Sequence, residues 1–563
     1  MPVSPPTPDA RRHDVGEPDT RTAAELLHAR RWWALAVLCL SLLIVFVGNS
    51  SLNVAIPTLS RELHATESQL QWVVAVYSLV FAGLLFSTGA LGDRFGRKGA
   101  LQFGLVLFLV GAGLASMSTA MWQIIACRAL MGAAGAFIMP STLSIIINVF
   151  PPHERPKAIA IWASVTGAAG AFGPVASGFL LGHFWYGSVF LINVPVIVLA
   201  LVAGHFIVPK SRDPKQASFD PGGSVLSIVG VVALVYGLIE APAKGWASAS
   251  TLGSFAIAFV VLTVFVLWEL RVEEPMVDMH YFRNRAFSTG TGGMILVFVA
   301  MYGVMFLITQ YFQLVLGYSP LSAALRLMPI AMIMLVVAPF TPRLSVRFGA
   351  HRVVAFGMLC IATGFLLFSG LSTHTPYAYV VLCVIPLTTG IAMTMSPMTA
   401  SIMMAVPARR AGAGSAMNDA SRELGAALGI AVLGSVAASR YNSRITHLLT
   451  GLSPANRSAA RSSIAGALHV ADQLHGAART ALIAGAHDSF VNGLHLAVYV
   501  GATLAILSAG IVYRYLPHSL APTGAMHGPL EAFEEAAELG LGGVPPVFSD
   551  QVEALVENAE QRA

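Results

Sequence analysis

Charge is scarce in this chain: 11% of its 563 residues are Asp, Glu, Lys or Arg, where a soluble protein carries about 25%. That shortage excludes a set of ordinary soluble domains, whose surfaces have to be wetted. Cysteine is scarcer still, with four residues. Cys39, Cys127, Cys360 and Cys383 all fall inside apolar runs, at spacings that suit neither zinc nor a disulfide framework, so they read as small buried hydrophobes. No metal site is expected. Residues 1–30 have no apolar core of a signal peptide. A membrane enzyme would need clustered catalytic side chains; His487 and Asp488 are adjacent but stand alone beside a membrane segment. A channel would need repeated filter loops or rings of charge, and neither is seen. The net charge of +5 is too small to suggest a nucleic-acid partner.

What the chain has is hydrophobicity: 56% apolar residues and a mean hydropathy of +0.71. Apolar runs long enough to cross a bilayer, about 20 residues each, recur along nearly its whole length. Backbone groups in lipid must be satisfied internally, and these runs are too long and uniform for barrel strands, so the spans are helices. The pattern predicts an all-α polytopic membrane protein with fourteen spans, at 33–56, 69–91, 100–118, 122–149, 157–181, 187–208, 222–240, 252–270, 287–310, 321–341, 353–371, 377–404, 419–438 and 491–514. A short interfacial helix is expected at Ala23–Arg31, before the interface-suited pair Trp32 and Trp33.

Loop charges orient the spans. The turns after even-numbered spans hold seventeen Lys and Arg, from Arg94 to Arg422, against three (Arg61, Lys244 and Arg326) after odd-numbered ones. Basic residues are retained in the cytoplasm, so both termini are placed there, in an inner (plasma) membrane. The long segment 440–490 then lies outside the cell, and two short amphipathic helices, "PLEAFEEAAELG" and "QVEALVENAE", are expected in the C-terminal tail.

The chain also repeats itself. "GALGDRFGRK" (Gly89–Lys98) aligns Leu91, Arg94, Phe95 and Gly96 with Leu344, Arg347, Phe348 and Gly349 of "TPRLSVRFGA". Both follow the second span of a group of six once spans seven and eight are set aside. Such repeats mark transporters, with substrate held near the midplane between halves. The expected organisation is a cytoplasmic tail (1–31), a six-helix bundle (32–210), two inserted helices (211–272), a second six-helix bundle (273–516, with the outer loop 440–490) and a second tail (517–563).

Three motifs sharpen this reading. Gly89, Leu91, Asp93, Arg94, Gly96, Arg97 and Lys98 form a G-x-L-x-D-R-x-G-R-K turn. Topogenic charge explains Arg97 and Lys98 but neither Asp93 nor the glycines. Arg128 sits inside the fourth span, where a charge costs about 2.5–3.5 kcal/mol, so it should face a polar interior. The fifth span carries Gly170, Gly173, Pro174 and Gly178, small residues that allow close helix approach around a helix-bending proline.

Together these motifs resemble the major facilitator superfamily. With "NSSLNVAIPTL", "GLIEAPAKGWAS", "QYFQLVLGYSPLSAALRLMP" and "SRELGAALGIAVLG" they resemble its fourteen-helix drug:proton antiporters, over about residues 32–515. The resemblance implies a non-enzymatic transporter, a multidrug efflux antiporter of antibiotic-resistance type, working by alternating access on a small hydrophobic or cationic substrate. It implies no cofactor beyond a proton gradient, a monomer, and membrane lipid as surroundings. It also implies that the Asp93 turn latches the two halves on the cytoplasmic side, for which Arg422 is the expected partner. The family usually has an aspartate five residues before Asn53; here that residue is Gly48. The proton- or substrate-linked candidates are therefore Asn49, Asn53, Arg128, Glu240 and Glu423, the last read, with Asp419, as lying at the cytoplasmic end of its span. A lipid or glycolipid exporter of the same fold, without such coupling, is the alternative.

Overall fold

The computed structural model describes residues 20–151, 154–211, 220–273, 275–406 and 411–517. Arg212, Lys215, Arg409, Arg410 and the two helices expected in the C-terminal tail lie outside the described residues. Among the described residues there is no strand. The long helices are α1 (Thr20–Glu62), α2 (Glu67–Phe95), α3 (Arg97–Met117), α4 (Met121–Val149), α5 (Arg155–His183), α6 (Ser188–Ile207), α7 (Pro221–Lys244), α8 (Ala249–Glu269), α9 (Arg285–Val315), α10 (Pro320–Phe348), α11 (Ala350–Phe368), α12 (Tyr377–Met404), α13 (Ala411–Ile445) and α14 (Gly476–Tyr515). Among the described residues, thirteen helices are long and apolar enough to cross a membrane. The fourteenth, α5, stands where the fifth span was expected and is 29 residues long.

Three spans run further than the hydropathy suggested. The interfacial helix expected at Ala23–Arg31 is continuous with α1. α13 begins at Ala411 rather than near 419, because "AGAGSAMND" is small and polar enough to look like a loop yet packs as helix. α14 likewise begins at Gly476 and rises out of the long loop before entering the apolar stretch.

Local chemistry sets the helix ends. Thr66 caps α2 in a reciprocal box: the Gln69 amide donates to Thr66 Oγ1 (3.3 Å), and the Thr66 amide donates to Gln69 Oε1 (3.0 Å). Asp220, Ser248, Asn284 and Ser319 cap α7, α8, α9 and α10. The two repeat copies end alike. Gly96 (φ +122°) closes α2 and Gly349 (φ +84°) closes α10, and each amide donates back four residues, to Gly92 and Ser345, at 2.9 Å. A side chain is strained at such positive φ, which explains the glycine both motifs share.

α1–α6 pack together, as do α9–α14. The tightest seams are made by residues without side-chain bulk. A Cβ on Gly132 would come within 2.4 Å of the Tyr77 carbonyl, and one on Gly425 within 2.4 Å of the Ile295 carbonyl. The two groups of helices meet where α2 lies on α13 and α5 on α10. α7 and α8 form a hairpin alongside. Val235 and Ile239 of α7 share a small core with Ala75 and Leu79 of α2 and Ala427 and Ala431 of α13. The far face of α8 bares Phe259, Val260 and Leu267, a surface suited to lipid.

Candidate functional site

Among the described residues Arg128 is the largest fully buried side chain, with no exposed surface. Its guanidinium donates to three acceptors: the Val73 carbonyl (3.1 Å), the Gly48 carbonyl (3.2 Å) and Asn49 Oδ1 (3.0 Å). It also lies over the Tyr77 ring, 4.3 Å from the centroid. Three hydrogen bonds from a charged donor, about 1.5–3 kcal/mol each, offset the cost of keeping this charge from water. The planar fork spans two helices, α1 and α2, from its own position on α4. Arg128 is therefore an interior group rather than one reaching for the interface.

Asn49 carries the arrangement across to the other half. Its Nδ2 donates to the Tyr302 hydroxyl on α9 at 3.4 Å. Tyr302 stacks with Phe298 (centroids 6.0 Å apart), and Arg422 of α13 lies over Phe298 at 5.1 Å. Arg422 also pairs with Asp419 (3.6 Å), one turn earlier on the same helix.

Glu423 belongs to this strip, which corrects its expected place at a wet helix end. Because α13 starts at Ala411, Glu423 is three turns inside it, facing Ser78 of α2 and within electrostatic range of Arg422, Asp419 and Arg128. Its Oε2 is buried and makes no hydrogen bond. Glu240 goes elsewhere. It rides on α7, where Lys244 pairs with it at 3.3 Å one turn on. Gly48 does not face this strip. A Cβ there would lie 2.8 Å from Phe108 Cζ, inside the first bundle, so the missing acid of the first span could not simply be restored.

The glycine-rich stretch of α5 divides into three roles. A Cβ on Gly173 would fall 2.0 Å from Ser50 Oγ, and Ser51 Oγ donates to the Gly173 carbonyl (3.2 Å), which locks α5 to α1. A Cβ on Gly178 would fall 2.8 Å from the Leu321 Cα, where α5 meets α10 across the two halves. Gly170 meets open space, and Pro174 is half-buried.

The G-x-L-x-D-R-x-G-R-K turn docks on the end of α6. The Arg97 amide donates to the Ser211 carbonyl (3.0 Å), and Lys98 Nζ donates to the His205 carbonyl (2.6 Å). Gly89 faces Pro140 of α4, Leu91 is half-buried and Arg94 is exposed. The Asp93 side chain lies outside the described residues, so its expected pairing with Arg422 is not described. Asn53 is buried, with its Oδ1 lacking a partner.

The sequence reading missed Tyr77, Ser78 and Tyr302 of the strip, together with Glu67, Gln71, Gln310 and Gln313 on the face carrying the α1–α2 turn. The available signal was polarity inside apolar runs: a glutamine or glutamate is as anomalous there as an arginine, yet the first two stood too near a predicted span end to be noticed. Among the described residues no cluster of three or more His, Cys, Asp or Glu could hold a metal ion.

Comparison with known proteins agrees with this architecture. The Major Facilitator Superfamily matches over residues 38–430. The chain is 36% identical over 484 residues to the "Multidrug efflux pump LfrA" of Mycolicibacterium smegmatis, covering 86% of this chain and 96% of the relative. It is 33% identical over 506 residues to the "Tetracenomycin C resistance and export protein" of Streptomyces glaucescens, covering 89% and 94%. It is 32% identical to the "Methyl viologen resistance protein SmvA" of Salmonella typhimurium, covering 86% and 98%. Among solved structures, a bacterial homolog of the human lysosomal transporter Spinster shares the fold, with a TM-score of 0.60 at 15% identity over 88% of this chain and 99% of that one.

Proposed function

This chain belongs to the Major Facilitator Superfamily and is a multi-pass membrane transporter rather than an enzyme, and from that premise we propose that it exports small hydrophobic or cationic compounds by alternating access, driven by protons moving the other way. The observation that carries the reading is the polar strip joining the two halves, with one carboxylate oxygen of Glu423 buried and unpaired on it. The relatives named for multidrug efflux, tetracenomycin export and methyl viologen resistance supply the substrate class. Both termini are cytoplasmic by the loop charges, so the α1–α2 turn faces outward.

The strip divides the work by chemistry. Guanidinium stays charged throughout, so Arg128 cannot be the group that gains and loses the proton. It fixes the positions of α1, α2 and α4 and biases a carboxylate brought near it toward the charged form. Glu423 is the proton carrier. When protonated it is neutral and can cross between orientations at low cost; when it releases its proton, Arg128 and Arg422 are the cations that receive the charge. Because Asn49 and Tyr302 bridge the halves, rocking of one bundle against the other must break that contact and change the surroundings of Glu423.

The test is proton release driven by drug in inverted vesicles, with parent and Glu423→Gln side by side. The expected result is release by the parent and none by the variant. Equal release by both removes Glu423 from this role. Export by the parent that ignores an imposed pH gradient removes proton coupling and favours the lipid-exporter alternative.

A further inference from the structure

Beyond Asn49, the stretch "NSSLNVAIPTL" meets a second one that the central strip does not use, "QYFQLVLGYSP", on the outward side of it. There α1 and α2 are closed against α9 and α13. Gln310 Nε2 donates to Glu67 Oε1 (3.2 Å), Gln313 Nε2 donates to the Val54 carbonyl (3.0 Å), and Ser435 Oγ meets Gln71 Oε1 (3.2 Å). Each bond joins one half of the transporter to the other. The last turn of α9, Tyr311–Val315, is a π turn, with Gln310 just before it and Gln313 within it.

The chemistry of this layer is lopsided. A carboxylate and a backbone carbonyl can only accept hydrogen bonds, so Gln310 and Gln313 must each turn their amide nitrogen toward the partner. Their carbonyl oxygens are then left over. Gln310 is completely buried and Gln313 is 5% exposed, and the Oε1 of each has no partner; Asn53 Oδ1 and Thr58 Oγ1 nearby in sequence on α1 are orphaned as well, and on the donor side so is Gln71 Nε2. Glu67 adds a carboxylate, and no Lys or Arg pairs with it among the described residues. Buried acceptors without donors are costly, and a carboxylate without a cation more so. They are relieved when the seal parts and something that donates hydrogen bonds or carries positive charge comes between them.

We propose that Glu67, Gln310, Gln313 and Asn53 form an exit-side binding station that takes the cationic or hydrogen-bond-donating end of the cargo as the outer seal opens. This rests on the exporter reading above. The station would favour cations over uncharged cargo of similar size, because a carboxylate set among orphaned amide oxygens repays a charged donor and gives an uncharged apolar molecule nothing. It also makes the outer seal labile by construction, since the closed form leaves these groups unsatisfied.

The test compares export of two dyes, cationic ethidium and uncharged Nile red, from cells expressing the full chain at equal membrane level. The variants are Gln313→Leu and Glu67→Gln, made separately so that one failed fold does not end the experiment. Ethidium export should fall about tenfold in each, roughly what loss of one hydrogen bond to a charged group costs, with Nile red export held within about twofold. Equal losses for both dyes, or no loss for ethidium, overturn the station while leaving export itself standing. A parent that exports neither dye overturns the exporter reading, and the station with it.

Discussion

Glu240 and Glu423 are the same side chain on two apolar helices, and the sequence offers both as proton carriers. Their surroundings separate them. Glu240 has a cation of its own, Lys244, on the next turn of the same helix at 3.3 Å, and that pair travels with α7 whatever the bundles do. Glu423 lies between helices of both halves, shares its cations with Asp419 and Asn49, and keeps one oxygen buried and unbonded. A carboxylate with a private partner has little reason to exchange its proton during transport. One that shares a cation of another helix, as Glu423 does Arg128 of α4, feels every change in their spacing. The difference lies in which helix supplies the countercharge, not in the carboxylate.

The comparison can be broken in four ways. The largest expected effect is from Glu423→Gln, which should lower drug export driven by an imposed pH gradient about a hundredfold, as removal of a proton-transfer group does elsewhere; downhill dye equilibration in the same proteoliposomes should persist. Loss of both would make Glu423 structural. Next is Gly48→Asp. Restoring an acid here pushes it against Phe108 rather than toward the strip, so the protein should lose about 2.5–3.5 kcal/mol of stability. Thermal unfolding in detergent checks this, and a well-folded variant with stronger proton coupling would show that Gly48 reaches the strip after all. Arg128→Lys keeps the charge but loses the fork that spans Gly48, Asn49 and Val73; export should fall about tenfold, the loss expected for one or two charged hydrogen bonds. Full activity in that variant would reduce Arg128 to a plain positive charge. The smallest effect belongs to Glu240→Gln. A half-exposed pair one turn apart on the same helix contributes about 0–1 kcal/mol, so export should change by less than about twofold, and a large loss would reverse the ranking of the two glutamates.

The motif copies at Gly89–Lys98 and Thr341–Ala350 show how legible some of this was. Both put a glycine of positive φ after the second span of a group, and both end a helix with the same backward hydrogen bond. That could be read from letters because a turn is a local event. Arg128 was legible for a similar reason: a charge in a long apolar run must be accounted for wherever the helix packs. Glu423 was misread because the stretch before it, "AGAGSAMND", is rich in small and polar residues. Its helical packing depends on α9 supplying a face for Gly425 to approach, which no window of sequence contains.

By itself the sequence determined the class of molecule, the approximate place of its helices and the family it belongs to. Those follow from bilayer thickness, from the cost of charge in lipid and from turn chemistry, all of which act within about 20 residues of chain. The tertiary structure alone decided which polar groups meet. Arg128 finds Asn49 and Val73 on two other helices, Glu423 finds Ser78 from 345 positions away, and Gln310 finds Glu67 across the seam between halves. A buried polar side chain declares that it needs a partner, but the partner is fixed by how helices pack, and packing is a property of surfaces brought together rather than of neighbours along the chain.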